Sequence, residues 1–120
     1  MALPKPGKPV RGSQTGRPIM ALLDLLGRRW VLRIIWEMRD STDSRESALT
    51  FRDLRERCDT MSPTVLNQRL HELRETGIVE LAQSGGYILS QSGRQLHEAM
   101  GPLLRWSEDW NKRLLQPIDD

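Results

Sequence analysis

Between Ser62 and Leu89 a strong helix signal runs directly into a strand–turn–strand signal, and few small folds accept that order. Ser62 supplies a side-chain oxygen for the backbone N–H groups that lack partners in a helix's first turn, and Pro63 presets φ at the next position. Val65, Leu66, Leu70 and Leu73 then recur on one face, and Gly77 permits the left-handed turn that ends the helix. Residues 78–82 and 87–89 read as two short strands, with Ser84, Gly85 and Gly86 forming the tight turn of a hairpin between them. A helix whose leucines face inward must turn Thr64, Asn67, Gln68 and His71 outward.

The flanking segments complete an architecture. Pro18 suits a helix's first turn; Ile19, Leu22, Leu23 and Leu26 follow at helical spacing, and Gly27 closes the helix. A second helix is expected to open at Arg28 or Arg29. Trp30, Ile34, Ile35 and Met38, widened by Val31 and Leu32, make it apolar on nearly every side, so it belongs at the centre of the fold. Residues 40–47 are polar and rich in Ser and Asp and read as a loop, 49–51 as extended, and 52–58 as a short helix with Leu54 inward. A last helix is expected from Ser90 or Ser92 to Leu115, with Leu96, Met100, Leu103, Trp110 and Leu114 in a long apolar stripe that Trp106 widens. The fold class is therefore mainly α with a small β-hairpin (α+β). Residues 1–17 are set apart as a flexible basic arm, 18–115 as the folded domain and 116–120 as a tail.

Several function classes are excluded. The chain has 120 residues, 38% hydrophobic and 28% charged, which supports one modest core. No run approaches the roughly 18–20 apolar residues of a membrane span, and the start lacks the apolar stretch of a secretory signal, so a cytoplasmic location is expected. No phosphate loop or nucleophile elbow is present, and neither His71 nor His97 has a second ligand one turn away, so neither an enzyme nor a metal site is expected. The single cysteine, Cys58, cannot form an internal disulfide; it reads as a small half-buried thiol at a helix end that packs like an apolar side chain, with redox sensing the minority alternative. The net charge of +2 is too small to identify a nucleic-acid binder without clustering. The arm carries Lys5, Lys8, Arg11 and Arg17 and no acid; a solvated tail is preferred over a DNA-tracking arm.

The order short helix, tight turn, capped helix, hairpin is that of a winged helix-turn-helix. Its second helix fits a DNA major groove about 12 Å wide, while the hairpin lies against the flanking backbone. Asn and Gln pair with adenine edges and Thr packs on a thymine methyl, so Ser62, Thr64, Asn67, Gln68 and His71 are the candidate base readers. The candidate phosphate contacts are Arg52 and Arg55 on the first motif helix, Arg69 on the second, and Arg28 and Arg29 at a helix start where free N–H groups already favour anions. The wing, Gln83, Ser84, Gly85 and Gly86, carries no Lys or Arg. Trp106 and Trp110 lie one turn apart; a dimer seam is preferred over intramolecular core, with an effector cavity as a third use of the same surface.

Three stretches resemble the HxlR-type winged-helix regulators of bacteria: Ala21-Leu-Leu-Asp-Leu-Leu-Gly-Arg-Arg-Trp30; Leu49-Thr-Phe-Arg-Asp-Leu54 with Met61, Ser62-Pro-Thr-Val-Leu-Asn-Gln-Arg-Leu70 and 73–80; and Gly86-Tyr-Ile-Leu-Ser90 to Gly93. The resemblance implies a dimeric regulator of double-stranded operator DNA, in some members a sensor of small molecules or electrophiles. It also implies terminal dimerisation helices, which here carry Ile19, Leu22, Leu23, Leu103, Trp106, Trp110 and Leu114. The chain departs from the family pattern in three places. It lacks the cysteine that many relatives carry before the first helix, its wing is uncharged, and its 40–48 loop is long. A winged-helix module that binds protein and not DNA is the competing expectation.

Overall fold

The structure, a computed structural model, describes residues 3–7, 17–44 and 46–115. Most of the expected arm and the whole 116–120 tail lie outside the described residues. The order is α1 (Pro18–Leu26), α2 (Val31–Glu37), α3 (Phe51–Arg57), α4 (Pro63–Glu75), β1 (Val79–Leu81), β2 (Tyr87–Leu89) and α5 (Gln91–Leu115). The mainly helical fold with one two-stranded wing is thus the one observed. No helix among the described residues is long and apolar enough to cross a membrane.

The centre is α2, as its all-round hydrophobicity requires. Val31, Ile34, Ile35 and Met38 are completely buried. Around them pack Leu25 of α1, Leu54 of α3, Cys58 at the end of α3, the α4 leucines, Val79 and Leu89 of the hairpin and Met100 of α5. Ala48, Ala82 and Ile88 form a second, small cluster under the wing. Within the arm, Pro4 is buried, and Pro4, Lys5 and Pro6 face Ala21, Leu22 and Leu25 across a cleft of about 420 Å³.

Three boundaries differ from expectation, each for a local reason. The second helix opens at Val31, not at Arg28 or Arg29, because the chain first turns through Trp30 at φ 78°. A left-handed aromatic residue costs about 1–2 kcal/mol, and half-burial of its indole against the core offsets that cost. Helix α3 opens at Phe51, because Thr50 and Asp53 cap it reciprocally: each side-chain oxygen accepts the other residue's N–H at 3.0 Å. The extended stretch shrinks to Leu49, which exchanges backbone hydrogen bonds of 3.0 and 2.7 Å with Tyr87 and adds an isolated bridge to β2 of the wing. The strands themselves are short, paired Val79 to Leu89 and Leu81 to Tyr87.

The 40–47 loop is more than a connection. Ser41 is buried; its hydroxyl donates to the Met38 carbonyl at 2.7 Å and accepts the Leu89 N–H at 3.0 Å, so it satisfies the outer edge of β2. The carboxylate of Asp43 accepts the Gln83 N–H at 2.9 Å and anchors the wing tip. Ser41→Ala leaves a buried strand N–H without a partner. We expect a loss of about 1–3 kcal/mol, read from urea unfolding, with the helical circular dichroism retained at room temperature.

Candidate nucleic-acid interface

The helix-turn-helix unit is α3, the turn 58–62 and α4. The turn uses two successive left-handed residues, Asp59 at φ 57° and Thr60 at φ 56°. Arg33 of α2 grips it, donating to Glu37 at 2.7 Å, to Asp59 at 3.0 Å and to the Arg57 carbonyl at 2.8 Å. The bond to Glu37 first, then that to Asp59, hold its guanidinium pKa above the ordinary value against the opposing pull of desolvation. Arg55 closes the turn from the other side by donating to the Met61 carbonyl at 2.8 Å. Arg33 does not stand out in the sequence, because the two partners that tie it to the turn, Arg57 and Asp59, are far along the chain.

Helix α4 starts as its cap dictates: the Ser62 hydroxyl accepts the Val65 N–H at 3.4 Å, and Pro63 occupies the first turn. Leu66, Leu70 and Leu73 are buried, whereas Thr64, Asn67, Gln68 and His71 are exposed, as is Ser62. Thr64, Asn67, Gln68 and His71, joined by Arg74 and Tyr87, line a shallow concavity between α4 and the wing. Arg74 and Tyr87 were missed in the sequence. Arg74 follows His71 by three positions, so helical spacing alone places it on the same face.

The arginines divide. Arg52 is almost fully exposed and is loosely paired with Glu56 at 3.4 Å, and Arg29 is exposed. Arg28 and Arg69 are largely buried and hold Glu72, and Arg55 is committed to the turn. The helix start assigned to Arg28 and Arg29 lies instead at Val31, so these two residues precede the helix rather than open it. In the wing, Gln83, Ser84 and Gly85 are exposed, with Gly85 at φ 99°. Gly86 is not part of the exposed tip: a Cβ there would lie 3.0 Å from that of Ala48, which is why the loop passes so close.

Exposed apolar side chains also gather on α5 and α1. Trp106 and Trp110 stack with ring centroids 5.5 Å apart and are 53% and 48% exposed, so they are not core of this chain. Leu103 and Leu114 continue their stripe, and Ile19 and Leu23 of α1 are exposed as well, while Leu22 is half-buried. Cys58 is fully buried, not half-buried as expected at a helix end, and desolvation pushes its thiol up to about 11. A thiol so placed is not a ready nucleophile. Among the described residues no group of His, Cys, Asp and Glu is placed to hold a metal ion.

A family model described as HxlR-like helix-turn-helix matches residues 25–114, which takes in every element from the last residues of α1 to nearly the end of α5. The chain belongs to the HxlR-like helix-turn-helix family. It is similar to the uncharacterized HTH-type transcriptional regulator YvaP of Bacillus subtilis (strain 168), with 26% identity over 94 residues, 73% of this chain and 82% of that protein. Among solved structures it is similar to quinone-bound YodB from B. subtilis, with a TM-score of 0.65 and 26% identity over 76% of this chain and 94% of the other. A possible HxlR family transcriptional factor from Thermoplasma volcanium GSS1 gives a TM-score of 0.65 and 26% identity over 76% of this chain and 82% of the other. An HxlR-like chain with this fold is a DNA-binding transcription regulator.

Proposed function

We propose that this HxlR-like regulator recognises a specific double-stranded operator as a homodimer, with α4 in the major groove. The observation that carries the proposal is the exposure of Asn67 and Gln68 on a capped helix whose other face is locked to the core by Leu66, Leu70 and Leu73. In this reading Ser62, Thr64, Asn67, Gln68 and His71 meet base edges. Arg52, Arg29 and Arg74 reach phosphates, while Arg28, Arg55 and Arg69 hold the helix and its turn in place. Gln83, Ser84 and Gly85 touch the flanking backbone through amide and hydroxyl groups. The stripe of Leu103, Trp106, Trp110 and Leu114, with Ile19, Leu22 and Leu23, is the seam between two copies. The uncharged wing favours a second reading, a module that binds protein and not DNA.

Selection from genomic fragments at low salt, followed by hydroxyl-radical footprinting, separates the two. The dimeric regulator is expected to protect two patches about 34 Å apart on one face of the duplex. Its log affinity is expected to fall linearly with log salt as counterions are released. Failure to retain any fragment above background would support the protein-binding module.

A further inference from the structure

Glu72 is a carboxylate only 4% exposed, in the last turn of the helix that carries the candidate base readers. Burying an ionised carboxylate is costly unless it is paired and hydrogen-bonded. Its partners come from two places. Arg28, in the corner between α1 and α2, donates through Nη1 to Oε2 at 2.7 Å, and Arg69 donates through Nη1 to Oε1. Arg69 also donates through Nε to the carbonyl of Arg29 at 2.9 Å. Arg28 approaches Asp24 of α1 at 3.9 Å. Helix α4 is therefore tied by directional bonds to one short corner, which Trp30 closes in its left-handed conformation.

These ties do something the leucine stripe cannot. Apolar contact fixes how deeply a helix sits but is non-directional. A planar guanidinium fork is directional and matches a carboxylate in one orientation. Rotating a helix by roughly 20° about its own axis moves its side-chain ends by about 2 Å, enough to break hydrogen bonds to base edges. Gln68 and His71 flank Arg69 and Glu72 in the same cleft and turn with them.

We infer that Glu72, held between Arg28 and Arg69, is a positioning residue for base recognition. It locks the rotation of α4 so that Asn67, Gln68 and His71 meet the groove in one setting, and it touches no base itself. The inference rests on the reading of α4 as the base-reading helix.

The test compares two duplexes of equal length, one recovered by the wild-type protein from genomic fragments and one with its sequence scrambled. Arg69→Lys keeps the charge but cannot span both Glu72 and the Arg29 carbonyl. The clamp predicts that this variant loses about tenfold or more in affinity for the selected duplex, the scale of one bidentate base contact. Affinity for the scrambled duplex should stay within about twofold and the salt slope should be unchanged, because phosphate neutralisation is retained. Glu72→Gln, which removes the shared acceptor charge, should narrow the ratio of the two affinities in the same way and serves if Arg69→Lys melts below the assay temperature. If folded variants discriminate as well as wild type, the clamp is overturned while base reading by α4 stands; this is what a simple phosphate contact at Arg69 would give. If the wild-type protein does not distinguish the duplexes, base reading by α4 falls and the clamp falls with it.

Discussion

Gly93→Ala is expected to destabilise the protein by about 3 kcal/mol or more. A Cβ at this position would stand 2.2 Å from the Ile78 carbonyl oxygen and 3.2 Å from the side chain of Leu89. The carbonyl cannot easily retreat, because it accepts the Ser90 N–H at 2.9 Å, while the Ser90 hydroxyl donates to the adjacent Gly77 carbonyl at 2.5 Å. That hydroxyl in turn accepts the Gly93 N–H at 3.0 Å and caps α5. Hairpin and terminal helix therefore meet backbone to backbone, and only a residue without a side chain permits the approach. Gly101→Ala provides the contrast within the same helix. Beyond its chain neighbours and its own helix backbone, its Cβ would meet only the flexible end of Arg105 at 3.4 Å, and the helix-propensity gain of up to about 1 kcal/mol is opposed by crowding against the ring of Pro102, so a small net change is expected. Urea unfolding should lower the midpoint of Gly93→Ala far more than it moves that of Gly101→Ala. A Gly93→Ala midpoint within error of wild type would mean that α5 does not dock on the hairpin as described.

The second large effect is on assembly. Replacing Trp106 and Trp110 together by Glu is expected to convert a dimer into a folded monomer. Each half-exposed indole offers about 100 Å² for burial, so two per copy supply about 400 Å² across a twofold seam, worth roughly 10 kcal/mol before the costs of association. Because these rings lie outside the chain's own core, the substitutions should leave the monomer folded, with a thermal transition lowered only by the lost stabilisation of assembly and no longer dependent on protein concentration. Sedimentation equilibrium reads the change of mass, and affinity for a two-half-site duplex should fall about a hundredfold or more as the second half-site contact is lost. A variant that still sediments as a dimer would place the seam elsewhere.

Much of the fold is legible in the sequence because its signals are local. Ser62, Pro63, the leucine spacing and Gly77 act within a few residues of one another, so α4 is readable, and the Gly-rich turn marks the wing. The apolar perimeter of α2 likewise announces its burial. The boundaries that differ are places where a tertiary contact overrides a local preference. Trp30 accepts a left-handed conformation because its indole packs on the core, and Leu49 alone is extended because Tyr87 pairs with it. The cap formed by Thr50 and Asp53 is a local signature, masked by the strand preference of the neighbouring Phe51.

The supports of the candidate site are legible only in three dimensions. Ser41 reaches Leu89, Arg28 reaches Glu72 and Arg33 reaches Asp59 across long stretches of chain, and nothing in the spacing of these residues announces the pairing. Arg28 and Arg69 likewise look like surface cations in the sequence, because Glu72 and the Arg29 carbonyl reach them from about 40 residues away. The requirement for glycine at position 93 is likewise set by a carbonyl from another element.

The central claim is that the exposed amide side chains of α4 read bases. It is tested most directly by selecting bound genomic fragments with the wild-type protein and with the Asn67→Ala, Gln68→Ala double variant, then sequencing both pools. The account predicts one enriched motif for the wild type and a pool close to the input for the variant, which should still bind DNA with the parent salt dependence. A folded variant that enriches the same motif to the same degree would contradict it.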